Sequence, residues 1–229
     1  MKIMDYPGKE LEIFDKAVLW RKYIYFLVKK YIKNGLLEVG AGIGSFTKNY
    51  KNDLKNITLT ELDKQNIKRL KKRFKGSKIK IETKLTSKLN GKFNSILYMN
   101  VLEHIKNDKK EINISLNKLN KKGYLIILVP AHNELYTKFD KEIGHFRRYK
   151  VNFFKKLKLK NAKIVKLQYL DCLGYFLYYL NKIFYKNEIY PSKTKIFIWD
   201  KFFTPLTFFF DRFLNYRFGK NVLCIIEKK

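Results

Sequence analysis

The chain has 229 residues, of which 46% are hydrophobic, so it can bury the core of one α/β domain. This composition excludes an intrinsically disordered chain. The two cysteines, Cys172 and Cys224, form no disulfide framework, and the start lacks the basic and then apolar pattern of an export signal. We therefore expect a cytoplasmic protein.

The formal net charge of +30 leaves three interpretations open. A basic surface attracts nucleic acids, and lysines also attract anionic lipids, which would place the protein peripherally on the cytoplasmic membrane face. The third interpretation is compositional, because Lys, Asn, Ile, Phe and Tyr share A/T-rich codons. The excess is lysine rather than the arginine that nucleic-acid readers favour, so the composition favours this third interpretation.

Along the chain, residues 9–33 predict a helix, since Ile24, Leu27, Val28 and Tyr31 lie at helical spacing. Further helical patterns follow Asp63 and Asp108 and cover 151–159. Short apolar segments predict strands at 36–39, 57–60, 79–81, 96–99, 124–129, 164–169 and 222–226. Strands that alternate with helices predict a Rossmann-like, doubly wound and mostly parallel α/β sheet with helices on both faces. We expect a single domain over 1–229.

A glycine loop follows the first strand in the segment LLEVGAGIGSFT. Gly40, Gly42 and Gly44 permit a tight turn into a predicted helix, and they let the backbone approach a ligand. Glu61 ends the next strand, at the separation expected for a carboxylate that binds ribose hydroxyls. Ser45 stands where the dinucleotide pattern has its third glycine. Glu38 would repel a pyrophosphate but suits the ammonium group of S-adenosylmethionine.

The motifs ExGxGxG at 38–44, the acidic Glu61 and NVLEHI at 100–105 together resemble class I S-adenosylmethionine-dependent methyltransferases over residues 9–169. The resemblance implies a sheet of seven strands with the last antiparallel. It implies that the glycine loop holds the methionine part of the cofactor and that Glu61 holds the ribose. The expected cofactor contacts are Glu38, Gly40, Ala41, Gly42, Gly44, Glu61, Leu62, Asn100, Val101 and Leu102.

Two further features bear on this resemblance. Lys84 stands where many relatives carry an acidic residue that contacts adenine, so adenine recognition would fall to the backbone near Leu85 and to apolar packing. The first helix resembles one that covers the cofactor in a subgroup of the family. In this chain Phe14, Trp20 and Tyr23 would supply aromatic cover, or they would simply pack in the core.

The segment 129–149 follows the fifth strand, where a doubly wound sheet places its substrate. Methyl transfer mainly requires alignment of the acceptor, but a hydroxyl acceptor also needs a base near neutral pKa. We expect His145 to be that base, with His132 as second candidate; a structural role for His145 is the alternative. The predicted acceptor contacts are Tyr136, Asp140, Arg147, Arg148 and Tyr149. No spacing is typical of a zinc site, and we expect no metal.

Residues 170–218 are an aromatic-rich, helical insertion between the last two strands. Neither apolar run is long enough to span a bilayer, and Pro205 should kink or divide the second run. The insertion could pack on the sheet or on a second copy of the chain. It could also cover a hydrophobic acceptor or lie in a membrane interface.

These observations predict methyl transfer from S-adenosylmethionine to a small-molecule, sugar or lipid-linked acceptor, at oxygen rather than nitrogen or carbon. An RNA substrate bound by the basic surface is the second hypothesis, and a non-catalytic cofactor-binding protein is the third. The sequence does not determine the oligomeric state.

Overall fold

The computed structural model describes residues 9–184 and 190–229. The strands of this part of the chain are β1 Leu36–Val39, β2 Ile57–Thr60, β3 Lys80–Glu82, β4 Phe93–Met99, β5 Leu119–Pro130, β6 Ala162–Leu170 and β7 Asn221–Lys228. They form one sheet in the order β3-β2-β1-β4-β5-β7-β6. The pairings among β1 to β5 are parallel, whereas β7 runs antiparallel to β5 and β6. The predicted seven-stranded sheet with an antiparallel last strand is confirmed.

Helices cover both faces of this sheet. They are α1 Lys9–Phe14, α2 Val18–Val28, α3 Lys64–Arg73, α4 Asp108–Lys118, α5 Lys138–Glu142, α6 Val151–Lys155, α7 Cys172–Phe184, α8 Lys193–Ile198 and α9 Thr204–Phe213. Leu36 packs in one core cluster with residues of α2 and α3, and its neighbour Leu37 packs in a second cluster with residues of α4 and α6. Because successive strand residues point to opposite faces, both faces of β1 are buried, which explains why Leu36, Leu37 and Val39 are apolar.

The helix predicted over residues 9–33 is divided into two helices in the structure. α1 and α2 are separated at Ala17, whose backbone is not helical, and a single 3-10 turn at Lys29–Tyr31 follows α2. The carboxylate of Asp200 accepts hydrogen bonds from the Leu19 and Trp20 N–H groups at 3.1 and 2.8 Å. Asp200 therefore satisfies free donors at the start of α2, a capping contact that local periodicity does not reveal.

The helix predicted directly after the glycine loop is not present. The chain forms only a 3-10 turn at Thr47–Asn49 before it continues to β2. The Thr47 hydroxyl, in that turn, and the Tyr50 hydroxyl, which follows it, both donate to the Glu38 carboxylate beneath the loop. These contacts tie the segment to the end of β1.

The aromatic insertion forms α7, α8, a π-helical turn at Trp199–Phe203, and α9. Pro205 lies in the first turn of α9 but does not divide the run, because α8, the π-helical turn and α9 follow one another without a break from Lys193 to Phe213. The π-helical turn directly before Pro205 accommodates its missing N–H within the continuous helix. Two buried aspartates anchor the insertion. Asp211 accepts hydrogen bonds from the backbone N–H groups of Asp171 and Cys172 at 2.8 and 2.9 Å, while Asp200 caps α2. Among the described residues, no helix has the length and apolar character to cross a membrane.

Candidate active site

The ends of β1, β2, β4 and β5 open into a single cavity of about 1990 Å³. The glycine loop, the end of β2 and the NVLEHI segment line one part of it, and the loop after β5 together with α1 and the insertion lines the rest. A pocket for one drug-sized ligand usually measures about 300–1,000 Å³. The cavity therefore has room for a nucleoside cofactor and an acceptor side by side.

The glycines of the loop are required by its shape. Gly40 and Gly44 have φ of 63° and 76°, in the left-handed region. A β-carbon on Gly40 would lie 2.9 Å from the methyl groups of Val101, and one on Gly44 would lie 2.4 Å from the Phe74 ring. The glycine loop therefore packs directly against the NVLEHI segment and against the end of α3.

Glu61 joins the end of β2 to the glycine loop. Its carboxylate accepts hydrogen bonds from the N–H groups of Gly42 at 2.8 Å, Leu62 at 2.7 Å and Asp63 at 2.9 Å. Burial raises its pKa, and the three hydrogen bonds oppose that shift. The Asp63 side chain is used elsewhere, because it caps α3 by accepting from the Asn66 N–H at 2.8 Å.

Glu38 lies deeper, beneath the same loop, and lines the same cavity as Glu61. Its carboxylate accepts from the Thr47 hydroxyl at 2.6 Å and from the Tyr50 hydroxyl. Burial raises the pKa of Glu38 to about 7, although both hydrogen bonds favour the charged form. The two acidic side chains predicted to bind the cofactor thus share one crevice.

The other predicted cofactor contacts divide into two groups. Ala41, Leu62, Asn100 and Val101 line the cavity together with Gly40 and Gly42. Gly44 and Leu102 do not line it; Gly44 packs against Phe74, and Leu102 is fully buried. Both residues therefore pack inside the protein and do not face the space for a ligand.

α1 lies over the glycine loop. Leu11 approaches to 3.3 Å from the position that a Gly42 β-carbon would occupy, and Phe14 and Trp20 line the cavity. Tyr23 does not line the cavity, because its hydroxyl donates to Asp211 at 2.9 Å inside the core. Two of the three aromatic residues suggested as cofactor cover are therefore placed to provide it. Lys84 and Leu85 line the cavity beyond β3, where the sequence places adenine.

His145 is held in a defined orientation within the loop after β5. Its Nδ1 lies 2.8 Å from Oδ1 of Asp140, and Arg148 grips the same carboxylate with Nε at 2.8 Å and Nη2 at 3.0 Å. Burial of Asp140 opposes its ionisation, but the hydrogen bonds from His145 and Arg148 outweigh it and hold its pKa well below the usual range. Asp140 is therefore an anion that orients the His145 ring.

The other side of the His145 ring faces the NVLEHI segment. Its Nε2 lies 3.7 Å from Oε1 of Glu103, and its ring contacts the His104 ring edge-on at 4.6 Å between centroids. Glu103 is fully buried, and this burial raises its pKa to about 7. Burial and the neighbouring His145 lower the pKa of His104 to about 3. We call Glu103, His104 and His145 the Glu-His-His cluster; all three residues line the cavity.

The remaining residues predicted to contact the acceptor have partners within the chain. The Tyr136 hydroxyl donates to the His145 carbonyl at 2.6 Å. Arg147 and the Tyr149 hydroxyl both donate to the Asp108 carboxylate, at 2.5 and 2.9 Å. These side chains and Asp140 do not line the cavity, whereas Arg148 does. They act as supports of the loop in this arrangement, which corrects the expectation of direct acceptor contacts.

His132, the second candidate base, lies outside the cavity lining. Its ring stacks on Tyr169 at 4.9 Å, and its Nδ1 lies 3.1 Å from Glu134. This position gives no support to a role as base.

Two residues of the cavity lining, Glu103 and His104, were not predicted as reactive groups. Their signal in the sequence was an acidic residue and a histidine side by side at the end of a strand, where ligands bind.

A family model for a methyltransferase domain matches residues 17–162. The chain belongs to this methyltransferase domain family. The predicted place in the class I methyltransferase superfamily is thereby confirmed. The matched residues of the methyltransferase domain include β1 to β5, whereas the aromatic insertion and β7 lie beyond them. A comparison with curated proteins finds no match.

Solved structures share the fold of this methyltransferase. One is an S-adenosylmethionine-dependent methyltransferase from Clostridium acetobutylicum ATCC 824, 17% identical with a TM-score of 0.60, covering 96% of this chain and 98% of that one. Another is the N-methyltransferase NodS from Bradyrhizobium japonicum WM9 in complex with S-adenosylhomocysteine, 13% identical with a TM-score of 0.56, covering 100% and 90%. Coclaurine N-methyltransferase, bound to N-methylheliamine and S-adenosylhomocysteine, is 13% identical with a TM-score of 0.60, covering 93% and 72%.

Proposed function

We propose that this protein transfers a methyl group from S-adenosylmethionine to an oxygen atom of a small-molecule, sugar or lipid-linked acceptor. The observation that carries the proposal is the bond from the Gly42 N–H to the Glu61 carboxylate, with Glu38 in the same crevice. This arrangement offers one carboxylate near the loop for the ribose hydroxyls and another for the ammonium group. The complexes of NodS and of coclaurine N-methyltransferase with S-adenosylhomocysteine support the choice of cofactor.

A pyrophosphate-bearing cofactor fits this crevice poorly. Glu38 lies beneath the loop that would have to hold the phosphates, so its carboxylate would repel them, whereas Glu61 would bind a ribose in either kind of cofactor. The sulfonium and ammonium groups of S-adenosylmethionine are positive and gain from the same carboxylates. The charge of the crevice therefore favours the methyl donor over a dinucleotide.

His145 is placed to accept the proton of the acceptor hydroxyl. Asp140 engages Nδ1, which leaves Nε2 on the side of the cavity. The hydroxyl proton passes to Nε2 while its oxygen attacks the methyl carbon. The carbon–sulfur bond breaks, and its electron pair remains on sulfur in neutral S-adenosylhomocysteine. Alignment of oxygen, carbon and sulfur provides most of the acceleration, because the donor is already activated.

The apolar side chains of the insertion favour an acceptor that has an apolar part. The insertion contributes five apolar side chains to the cavity lining: Leu177, Leu180, Phe184, Ile198 and Phe203. A small polar acceptor would leave these side chains against water at a cost in free energy. An amphipathic acceptor, whose hydroxyl reaches the Glu-His-His cluster and whose apolar part lies against the insertion, uses both surfaces.

Calorimetric titration with S-adenosylmethionine tests the cofactor assignment. We expect Glu61→Gln to weaken binding by about 10- to 100-fold, because a hydrogen bond to a charged group is worth about 1.5–3 kcal/mol. The matched control is Glu134→Gln, which changes a carboxylate outside the cavity and should leave the affinity at the wild-type value. Thermal unfolding of each variant verifies that the domain is folded. A wild-type protein that does not bind the donor, or an unchanged affinity in Glu61→Gln, would contradict the assignment.

A further inference from the structure

We propose that the Glu-His-His cluster binds a divalent transition-metal ion. One carboxylate oxygen of Glu103 and one ring nitrogen from each of His104 and His145 lie within 4.8 Å of one another. Ligand atoms at the usual zinc distances are about 3.3 Å apart in a tetrahedral site. The Glu103 and His145 atoms are already 3.7 Å apart. Small side-chain rotations would therefore bring the three atoms to one ion.

Glu103 provides independent support for a bound cation. It is fully buried, and neither of its carboxylate oxygens has a hydrogen-bond partner among the described residues. A buried carboxylate without a donor is strongly unfavourable, and proteins compensate such groups with a partner or a metal. A divalent ion placed between Glu103 and His145 supplies the missing partner. The cavity side of the cluster gives the ion a path of entry.

The surroundings of His145 match those of a metal-binding histidine. The anionic Asp140 carboxylate engages Nδ1 of His145 at 2.8 Å, which turns Nε2 of the ring toward Glu103. Arg148 in turn fixes Asp140 with two hydrogen bonds. Metal-binding histidines almost always bond their second ring nitrogen to a carboxylate, a backbone carbonyl or water, and a carboxylate there orients the ring and strengthens the ligand.

The donor set selects the class of ion. Two imidazole nitrogens and one carboxylate suit zinc, cobalt, manganese or iron, whereas magnesium and calcium prefer oxygen ligands. Three protein ligands also leave coordination positions open, as in catalytic rather than structural zinc sites. All three residues line the cavity, so an open position faces the space for the acceptor.

What a metal ion would do to the acceptor rests on the proposed function. It would replace His145 as the group that activates the acceptor hydroxyl. A metal ion lowers the pKa of a coordinated hydroxyl, whose proton then passes to water before the oxygen attacks the methyl carbon. The coordinated oxygen keeps further lone pairs for that attack. An amine nitrogen has one lone pair, and coordination occupies it. A metal at this position therefore selects oxygen acceptors over amines.

Metal titration of the untagged full-length protein tests the site. After removal of metals with a chelator, we expect wild type to bind one Zn²⁺ per chain by calorimetry, and Co²⁺ to give the visible absorption of a site with nitrogen ligands. Glu103→Gln and His145→Ala should each weaken Zn²⁺ binding at least 10-fold, and Asp140→Asn by about 10- to 100-fold. His132→Ala is the matched control, because it removes the histidine that lies outside the cluster.

The results separate this inference from the proposed function. Wild type that binds S-adenosylmethionine but no Zn²⁺, or variants that bind Zn²⁺ as tightly as wild type while folded by circular dichroism, would overturn the metal site and leave His145 as the base. Wild type that binds Zn²⁺ through the cluster but not S-adenosylmethionine would support the metal site and contradict the proposed function.

Discussion

Two buried carboxylates of the site illustrate how neighbouring side chains set the charge of a residue. Asp140 is bonded to His145 and to the Arg148 guanidinium, and these contacts hold its pKa well below the usual range despite burial. Glu38 receives only the hydroxyls of Thr47 and Tyr50, and burial raises its pKa to about 7. A hydroxyl donates a hydrogen bond without a net charge, so it compensates less of the desolvation cost than a cation does.

The raised pKa of Glu38 predicts that stability falls as the pH rises. The folded state holds the Glu38 proton more tightly than the unfolded state, so this contribution is complete below the ordinary glutamate pKa of 4.5 and is lost as the pH passes through about 7. The size is about 3 kcal/mol, from 1.36 kcal/mol per pKa unit. Urea unfolding of wild type and Glu38→Gln from pH 5 to 8 measures it.

Glu38→Gln should show a smaller loss of unfolding free energy over this range. The remaining slope combines Glu103, whose pKa burial also raises to about 7, with His104, whose lowered pKa of about 3 acts in the opposite direction below about pH 6.5. Glu103→Gln is therefore the companion variant that isolates the second glutamate. Equal slopes for wild type and Glu38→Gln would show that Glu38 stays ionised in the folded protein. Both glutamates were visible in the sequence, but the burial that raises each pKa depends on the packing of the glycine loop and of the loop after β5.

At the level of elements, local sequence predicted the strands well because each is a short apolar segment bounded by turn residues. It did not predict that the second apolar run stays helical past Pro205, because the π-helical turn at Trp199–Phe203 accommodates the proline without a break. It did not predict the start of α2. The group that caps α2 is Asp200, which belongs to the insertion and reaches α2 only after the chain has folded.

Gly44 and Gly76 allow the strain of a left-handed residue to be separated from steric overlap. Both have positive φ, 76° and 79°, but a β-carbon on Gly44 would meet Phe74 at 2.4 Å, while one on Gly76 would meet nothing within 4 Å. We expect Gly76→Ala to cost about 1–2 kcal/mol of unfolding free energy, from the backbone alone. Gly44→Ala should cost about 1–3 kcal/mol more, from overpacking against α3.

Urea unfolding of the two alanine variants measures this difference. Equal losses would mean that Phe74 moves aside without cost and that the loop is not packed as tightly as the distances indicate. The two variants also compare two positions, since Gly44 belongs to the glycine loop and packs against Phe74, while Gly76 follows α3 in an open turn.

At the scale of the whole molecule, the insertion exposes a group of aromatic side chains on a strongly basic protein. Phe184 and Phe213 are 73% and 74% exposed, and the net charge is +30. Isolated exposed apolar residues are ordinary, but a group of them on neighbouring helices marks a surface that contacts something apolar. Anionic lipid satisfies both properties, because lysines bind the headgroups while aromatic side chains enter the interface.

We therefore expect the purified protein to float with vesicles that contain phosphatidylglycerol and to remain in solution with phosphatidylcholine alone. The double substitution Phe209→Ser and Phe213→Ser should reduce the bound fraction several-fold, since each ring contributes apolar burial. Val165→Ser, an exposed apolar position on the edge strand β6, is the control and should not change it. Protein that stays in solution with both vesicle types would contradict membrane association and would favour the compositional or RNA interpretation of the charge.

The sequence by itself determined the class of fold and the cofactor loop. Strand periodicity, glycine spacing and acidic strand ends act between residues close along the chain, and Glu38, Gly42 and Glu61 meet because successive parallel strands end at one edge. The tertiary structure alone decided which groups meet at the cavity beyond β4 and β5. Glu103 and His104 follow β4, while Asp140, His145 and Arg148 follow β5 in a loop without periodicity. Their arrangement depends on long-range packing and burial, which no local pattern encodes.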